Sequence, residues 1–464
     1  MEDFRALQGE LTPIASKAHE AQAKWPLWKI AIIVVNALMY IVSIMPASVS
    51  SPLVPLLESD VGLGWTTQNS QIILSMNRLA EALGLLTLAW LADAYGGAVA
   101  MSWYLFAAAC AMLGMAAAGR PPLIVDLLML ACFVRGIAWP AAVRILADHL
   151  ASAQWEVGIC AIGVASRVGS FFTSEIVALT STALGWRGTI CTLVVLMLLV
   201  ALVMRAILCC ARERRLLSEH FGRVYDEESL EARRPPLLEM LDFVIARCTA
   251  NLHGLLFFFS MPDSWLIVFL IICQQPLWAF GDFLGTFAYD VYDVSPSWCA
   301  SIDGAYPLGQ ALGLVCGLVF VLVAGMRARF SLYIAIATLS LGSAIVPMVL
   351  LHAPRSLSSW VLAGLAGCQG FCSVLLDYVP TTIWAMYAGR LRGEGAHYLG
   401  ALYSLGYAFS SILNYHLGHL RNTSLTHAFR NEMIYASIAA LSSTILLSLH
   451  IFSNRHGTLF HDQA

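Results

Sequence analysis

The chain has 464 residues, of which 59% are hydrophobic and only 12% charged, with a mean hydropathy of +0.74 and a formal net charge of -3. An average soluble domain carries about 25% charged residues, so this composition excludes a water-soluble globular fold of this size. So small a net charge gives no footing for a nucleic-acid partner, and the lipid bilayer is the expected solvent for most of the surface.

In chain order, residues 1–27 are mixed in charge and lack the apolar core that follows a basic start in a signal peptide. The first apolar helix is therefore expected to insert and remain as an anchor. A spanning helix needs about 20 mostly apolar residues, and twelve such runs are predicted. They are 30–49, 71–91, 98–118, 123–146, 157–180 and 189–209, then 266–289, 299–324, 332–351, 360–386, 396–417 and 433–451. The predicted class is thus an all-α membrane protein with two six-helix halves. Between the halves, 211–234 is strongly polar. An apolar segment, 237–259, follows Pro235-Pro236, and its Leu237, Leu238, Leu241, Val244, Ile245 and Cys248 share one helical face. It reads as an amphipathic helix on the membrane surface, with a thirteenth span as the other reading. The organisation is a cytoplasmic segment (1–27), a first bundle (28–210), a linker (211–262), a second bundle (263–453) and a cytoplasmic tail (454–464).

Topology follows from the 26 Lys and Arg: eighteen fall in loops on the side of the N-terminus, five on the other side and three inside helices. Basic residues favour the cytoplasmic side, so both termini are predicted inside, in the plasma or an endolysosomal membrane. Glu213-Arg214-Arg215-Leu216-Leu217 has the flavour of a dileucine sorting signal. Asn422-Thr423-Ser424 is a glycosylation sequon placed in the last outside loop.

The twelve cysteines lie mostly in apolar runs, where free Cys acts as a small hydrophobe. No metal or cofactor is predicted, no Gly-rich phosphate loop is present and ATP drive is not expected. His416 and His419 have metal-ligand spacing but no further partner in sequence.

Charges at membrane depth are the sharpest signal. An ionisable residue in a span costs at least ~2.5 kcal/mol and marks a functional site by default. Arg135 and Arg167 lie near the middle of their runs, and Asp282 and Asp377 are the deepest acids of the second half. Arg78 and Glu81, three apart on one face, are expected to form an intramembrane ion pair. Glu175 lies two turns outward from Arg167. Trp278, Phe280 and Phe283 flank Asp282, and Tyr378 and Trp384 follow Asp377, as apolar pocket walls would. Arg135, Arg167, Asp282, Asp377, Trp278 and Tyr378 are therefore the candidate substrate-binding residues.

The motifs resemble those of the major facilitator superfamily from about Trp28 to Ile451. The stretch Leu88-Ala89-Trp90-Leu91-Ala92-Asp93-Ala94-Tyr95-Gly96-Gly97 resembles the signature loop after the second span, with Asp93 and Gly96 kept and the basic residues replaced. Arg135-Gly136-Ile137-Ala138-Trp139-Pro140 resembles the Arg-Gly motif of the fourth span, and Gly185-Trp186-Arg187 a common start of the sixth. Ser166-Arg167-Val168-Gly169-Ser170 resembles a motif of the lysosomal dipeptide-transporter branch, although the Glu that branch tends to carry in the fourth span is replaced here by Arg135 and Gly136. The resemblance implies a gating role for Asp93 and Gly96, with Arg144 as the expected ionic partner of Asp93, and a carboxylate-binding role for Arg167. The charges at depth point to a secondary carrier working by alternating access, its central arginines holding an anionic group and the acids of the second half an amine or a proton, which suggests a small carboxylate-bearing solute such as an amino acid, small peptide or organic anion. A transporter-like receptor or accessory subunit that does not transport is the reading from another class.

Overall fold

The computed structural model describes residues 27–88, 90–150, 155–217, 260, 262–324, 329–354, 356–390 and 395–454, with the backbone alone at some positions within helices. The predicted linker helix at 237–259 lies outside the described residues. The elements are α1 (Leu27–Ser43), α2 (Met45–Ser48), α3 (Ser50–Ser59), α4 (Thr67–Leu88), α5 (Trp90–Tyr95), α6 (Gly97–Ala117), α7 (Pro121–Arg135) and α8 (Ala138–His149). Then come α9 (Trp155–Leu217), α10 (Pro262–Tyr292), α11 (Pro296–Ala324), α12 (Arg329–His352), α13 (Ser359–Arg390), α14 (Gly395–Thr423) and α15 (Leu425–Asn454). Among the described residues α1–α3, α4–α5 and α7–α8 are each one broken rod, and α9 is two rods meeting at Gly185, which gives twelve.

Leu27–Ser59, Gly97–Ala117, Pro121–Leu146, Val157–Val203 and Ile267–Tyr292 are long and apolar enough to cross a membrane by composition alone. α4 is too polar to qualify, because Asn69, Gln71, Asn77, Arg78 and Glu81 sit along it. Of these, Arg78 and Glu81 line the interior site.

The breaks have local causes. Pro46 has no N–H for the helical ladder, so Ala47 bonds back only three residues to Ile44 O, at 3.2 Å. The carbonyl of Ser43 is left over, and the buried Tyr104 hydroxyl donates to it. Gly96, at φ +84°, and Gly185, at φ +63°, take left-handed backbone that other residues avoid. Each reverses the chain between adjoining rods without a loop. After Gly185, Trp186 Nε1 donates to Asp60 Oδ2 at 2.8 Å and Arg187 Nη2 to Ala118 O at 3.2 Å, tying α9 to the ends of α3 and α6.

α1–α9 form one half and α10–α15 the other. The halves meet along α4 with α14 and α9 with α11, while α3 leans onto α10 and α11. Gly304 and Gly418 set these seams. A Cβ on Gly304 would stand 3.0 Å from Ser174 Cβ, and one on Gly418 would stand 2.4 Å from Gln71 Cγ.

Candidate functional site

A cavity of about 160 Å³ lies between the halves. The first half lines it with Tyr40, Ser51, Arg78, Glu81, Arg135, Trp139, Arg167 and Ser174, and the second with Trp278, Asp282, Asp303, Tyr306, Gln310, Tyr403 and Tyr407.

The charges pair differently from the sequence expectation. Arg78 does not take Glu81 as its main partner; their closest atoms are 4.0 Å apart. Its guanidinium instead forks onto Asp282 across the cavity, Nε to Oδ2 at 3.0 Å and Nη2 to Oδ1 at 2.5 Å. Glu81 receives Arg135 in a buried ion pair, the two residues being 4% and 7% exposed. The reason is helix approach. A Cβ on Gly84 would sit 1.9 Å from Phe133 O, and one on Gly136 would sit 2.1 Å from Gly84 C. Only paired glycines let α4 and the α7–α8 rod cross so closely, and that crossing brings Arg135 to Glu81 and leaves Arg78 for the opposite half.

Asp282 is held further by both halves. Asn414 Nδ2 donates to Asp282 Oδ2 at 3.0 Å, and Ser51 Oγ reaches the Asp282 carbonyl at 2.8 Å. Asp303 of α11 is held by two hydroxyls of the first half, Ser51 at 2.7 Å and Ser174 at 3.2 Å. Arg167 lines the cavity between Ser166 and Ser170. Its neighbour Gly169 lets α9 pack tightly on α1, since a Cβ there would stand 2.4 Å from Ile41 O. Trp278 lines the wall with Tyr403 and Tyr407, at ring-centroid distances of 6.1 and 5.3 Å. Tyr407 also lies under the Arg78 guanidinium, 5.6 Å from centroid to carbon.

One end of the cavity is shut by an ion cluster. Arg421 of α14 donates to both oxygens of Glu58 in α3, at 2.9 and 2.8 Å, and to both oxygens of Asp290 in α10, at 2.6 and 3.2 Å. Ser70 Oγ donates to Glu58 at 2.6 Å, and Trp65 Nε1 donates to Ser70 at 2.8 Å. Beside it, Gln71 Nε2 donates to Tyr415 O at 3.0 Å and Asn422 Nδ2 donates to Gln71 Oε1 at 2.8 Å.

Other predicted residues fall elsewhere. The side chains of Asp377, Tyr378 and Trp384 lie outside the described residues, as does that of Asp93. Arg144 pairs with Asp148 one turn along α8, Nε–O 3.1 Å. Gly96 is the left-handed hinge before α6. Asn422 is not in a loop. α14 runs through Thr423 and only Ser424 separates it from α15, so the sequon sits on a helical turn with its amide already bonded. Glu175 is half-buried beside Gly304, outside the cavity wall. His416 and His419 are both exposed.

The model of the Major Facilitator Superfamily matches residues 37–411. The chain belongs to that superfamily. Among solved structures, this superfamily member is similar to a bacterial homologue of the human drug peptide transporters PepT1 and PepT2, at 12% identity and TM-score 0.62, over 92% of this chain and 98% of that one. A POT family transporter in complex with a thioalcohol-conjugated peptide matches at 14% identity and TM-score 0.65, over 90% and 96%. The peptide transporter POT in complex with sulfate matches at 16% identity and TM-score 0.62, over 91% and 94%. At these identities the likeness is one of fold. No curated protein sequence matches the chain. Family and fold are those of membrane transporters, all-helical and in two six-helix halves.

Asp303, Glu58, Asp290 and Arg421 were not picked out by sequence reasoning. Asp303 lies inside a predicted span and was legible as a buried acid. The other three fall in predicted outside loops, where a charge ordinarily meets water, and only the meeting of halves gives them a role.

Proposed function

We propose that this superfamily member carries a small zwitterionic, carboxylate-bearing solute across the membrane by alternating access. One observation carries the reading. The cavity sets the guanidiniums of Arg78, Arg135 and Arg167 on one half against the carboxylates of Asp282 and Asp303 on the other, with Glu81 neutralising Arg135. A lining with equal numbers of cations and anions, split between two bodies, suits a ligand with its own separated charges. Arg167 is the group proposed to take the carboxylate, since a planar guanidinium matches it in two-pronged fashion. Asp282 and Asp303 are proposed for the ammonium end. The similar structures are named for peptide transport, which agrees with a zwitterionic substrate.

Binding across two halves also supplies the coupling. Substrate that competes for the Arg78–Asp282 pair weakens a contact holding the halves together, and a ligand shifts such an equilibrium only through contacts that differ between states. By the distribution of Lys and Arg the Arg421 end faces outside, so the shut end is the outer one and both termini are inside.

Proteoliposomes holding the full chain test this with labelled alanine, dialanine, lactate and choline. Saturable uptake of the zwitterions with exchange on counterflow is expected, and choline should not enter. Folded protein that moves none of the carboxylates would favour the non-transporting receptor.

A further inference from the structure

Glu432 is the one fully buried acid among the described residues that neither the cavity nor the lock uses. It is 0% exposed, and neither of its carboxyl oxygens has a hydrogen-bond partner among those residues. It lies two turns into α15. One turn nearer the shut end, Phe429 packs edge-on against Phe287 at 5.3 Å and touches Tyr292 at 6.3 Å, so this face of α15 lies on α10. Thr286 Oγ1 of α10 and Asn414 Oδ1 of α14 are likewise buried without a partner.

The charged and titratable groups presented to α15 are already committed or distant. From α10 they are Asp282, forked to Arg78, Asp290, held by Arg421, and Tyr292, whose hydroxyl donates to Leu350 O. From α14 they are Arg421, bound to Glu58 and Asp290, and His416, whose ring lies 6.4 Å from Tyr435. From α12 the described titratable side chain is His352, in the last turn. No cation pairs with Glu432 among the described residues. An ionised carboxylate with neither donor nor cation in an apolar interior costs far more than protonating it.

We propose that Glu432 is a proton-binding site, loaded from the Arg421 end while the Glu58–Arg421–Asp290 lock is open and sealed in neutral form when the lock shuts. α10 and α14 both pack on α15, and Arg421 clamps both to α3 of the other half. Parting the halves there gives water a path to Glu432. The step moves a proton alone and breaks no covalent bond. It rests on the carrier reading only in that the lock opens and shuts, and it names the proton as the ion whose uptake accompanies closure.

The test is infrared spectroscopy of the full chain in lipid. The wild type at neutral pH should show the carbonyl stretch of a protonated buried carboxyl, and Glu432→Gln should lack that band while melting within a few degrees of wild type. A band absent from the wild type, or unchanged in Glu432→Gln, overturns the proposal. Arg421→Gln should make the band disappear on raising pH over a range where the wild type keeps it. If the lock variant leaves the band's pH response unchanged, loading from that end is refuted. Neither spectrum depends on substrate, so failure here is separable from failure of the uptake panel.

Discussion

Each half of the molecule has a helix crossing made by facing glycines, and the two are used differently. In the first half Gly84 and Gly136 bring α4 against the α7–α8 rod, and the buried Glu81–Arg135 pair lies beside the contact. In the second half a Cβ on Gly309 would stand 1.9 Å from Gly367 O and one on Gly370 would stand 2.0 Å from Tyr306 O, bringing α11 against α13. That crossing carries no ion pair among the described residues. It carries Tyr306, whose hydroxyl donates to Leu277 O at 3.0 Å, and Gln310. Close packing therefore does not require charge. The ion pair within the first half joins two helices of one bundle, whereas Arg78–Asp282 and Arg421–Glu58 join the two halves and are the pairs that the proposed alternating access would have to break.

The comparison is broken most severely at Glu81. Glu81→Ala leaves Arg135 buried without its partner and should cost about 3–5 kcal/mol, read as a large drop in melting temperature. Glu81→Leu with Arg135→Met should recover most of that loss; a double variant as unstable as the single one would show the pair is not the cause.

Next come the glycines. Gly84→Ala and Gly309→Ala both drive a methyl into a backbone carbonyl, for about 1–3 kcal/mol of overpacking strain. Gly84→Ala should be the worse, because spreading α4 from α7 also parts Glu81 from Arg135. Equal melting temperatures would remove the distinction between the crossings.

Pairs between the halves should act on turnover before stability. Asp282→Asn should fold near normally and lose transport by about tenfold or more, in line with the ~1.5–3 kcal/mol of a charge-assisted hydrogen bond. Arg421→Gln should raise labelling of a cysteine placed at Ser51 by an impermeant thiol reagent added outside. Labelling as slow as in the parent would mean that the cluster is not a gate. The smallest effect is expected at Arg167→Lys, which keeps charge and loses the planar fork. KM should rise with kcat little changed, and wild-type kinetics would remove Arg167 from the carboxylate site.

Sequence reading failed most where helix ends were concerned. Hydropathy predicts a last span from residue 433, but α15 begins at Leu425, which takes Glu432 from a loop into a buried helix by a single position. Within that added turn Phe429 packs on α10 while His427 and Arg430 are exposed, and hydropathy averages cannot separate such a two-faced helical turn from a loop. The sequon at Asn422 was misplaced for the same reason.

The helical, membrane-embedded character of the chain, the approximate positions of its spans and the arginines and acids at depth are all legible in the residue order. Those properties follow from local composition, since each span must satisfy its own backbone in lipid. Gly96, Gly136, Gly169 and Gly185 stand in recognisable motifs, whereas nothing in the sequence singles out Gly84. Which charges meet depends on how the helices pack. Arg78 and Glu81 are neighbours in sequence, yet Asp282 and Arg135 hold them, because pairing across helices depends on crossing depth and rotation, which side chains far apart in the chain set together. The shut end, the hydroxyl cradle of Asp303 and the isolation of Glu432 are of that kind. Each exists only where one half is laid against the other, or one helix against two more.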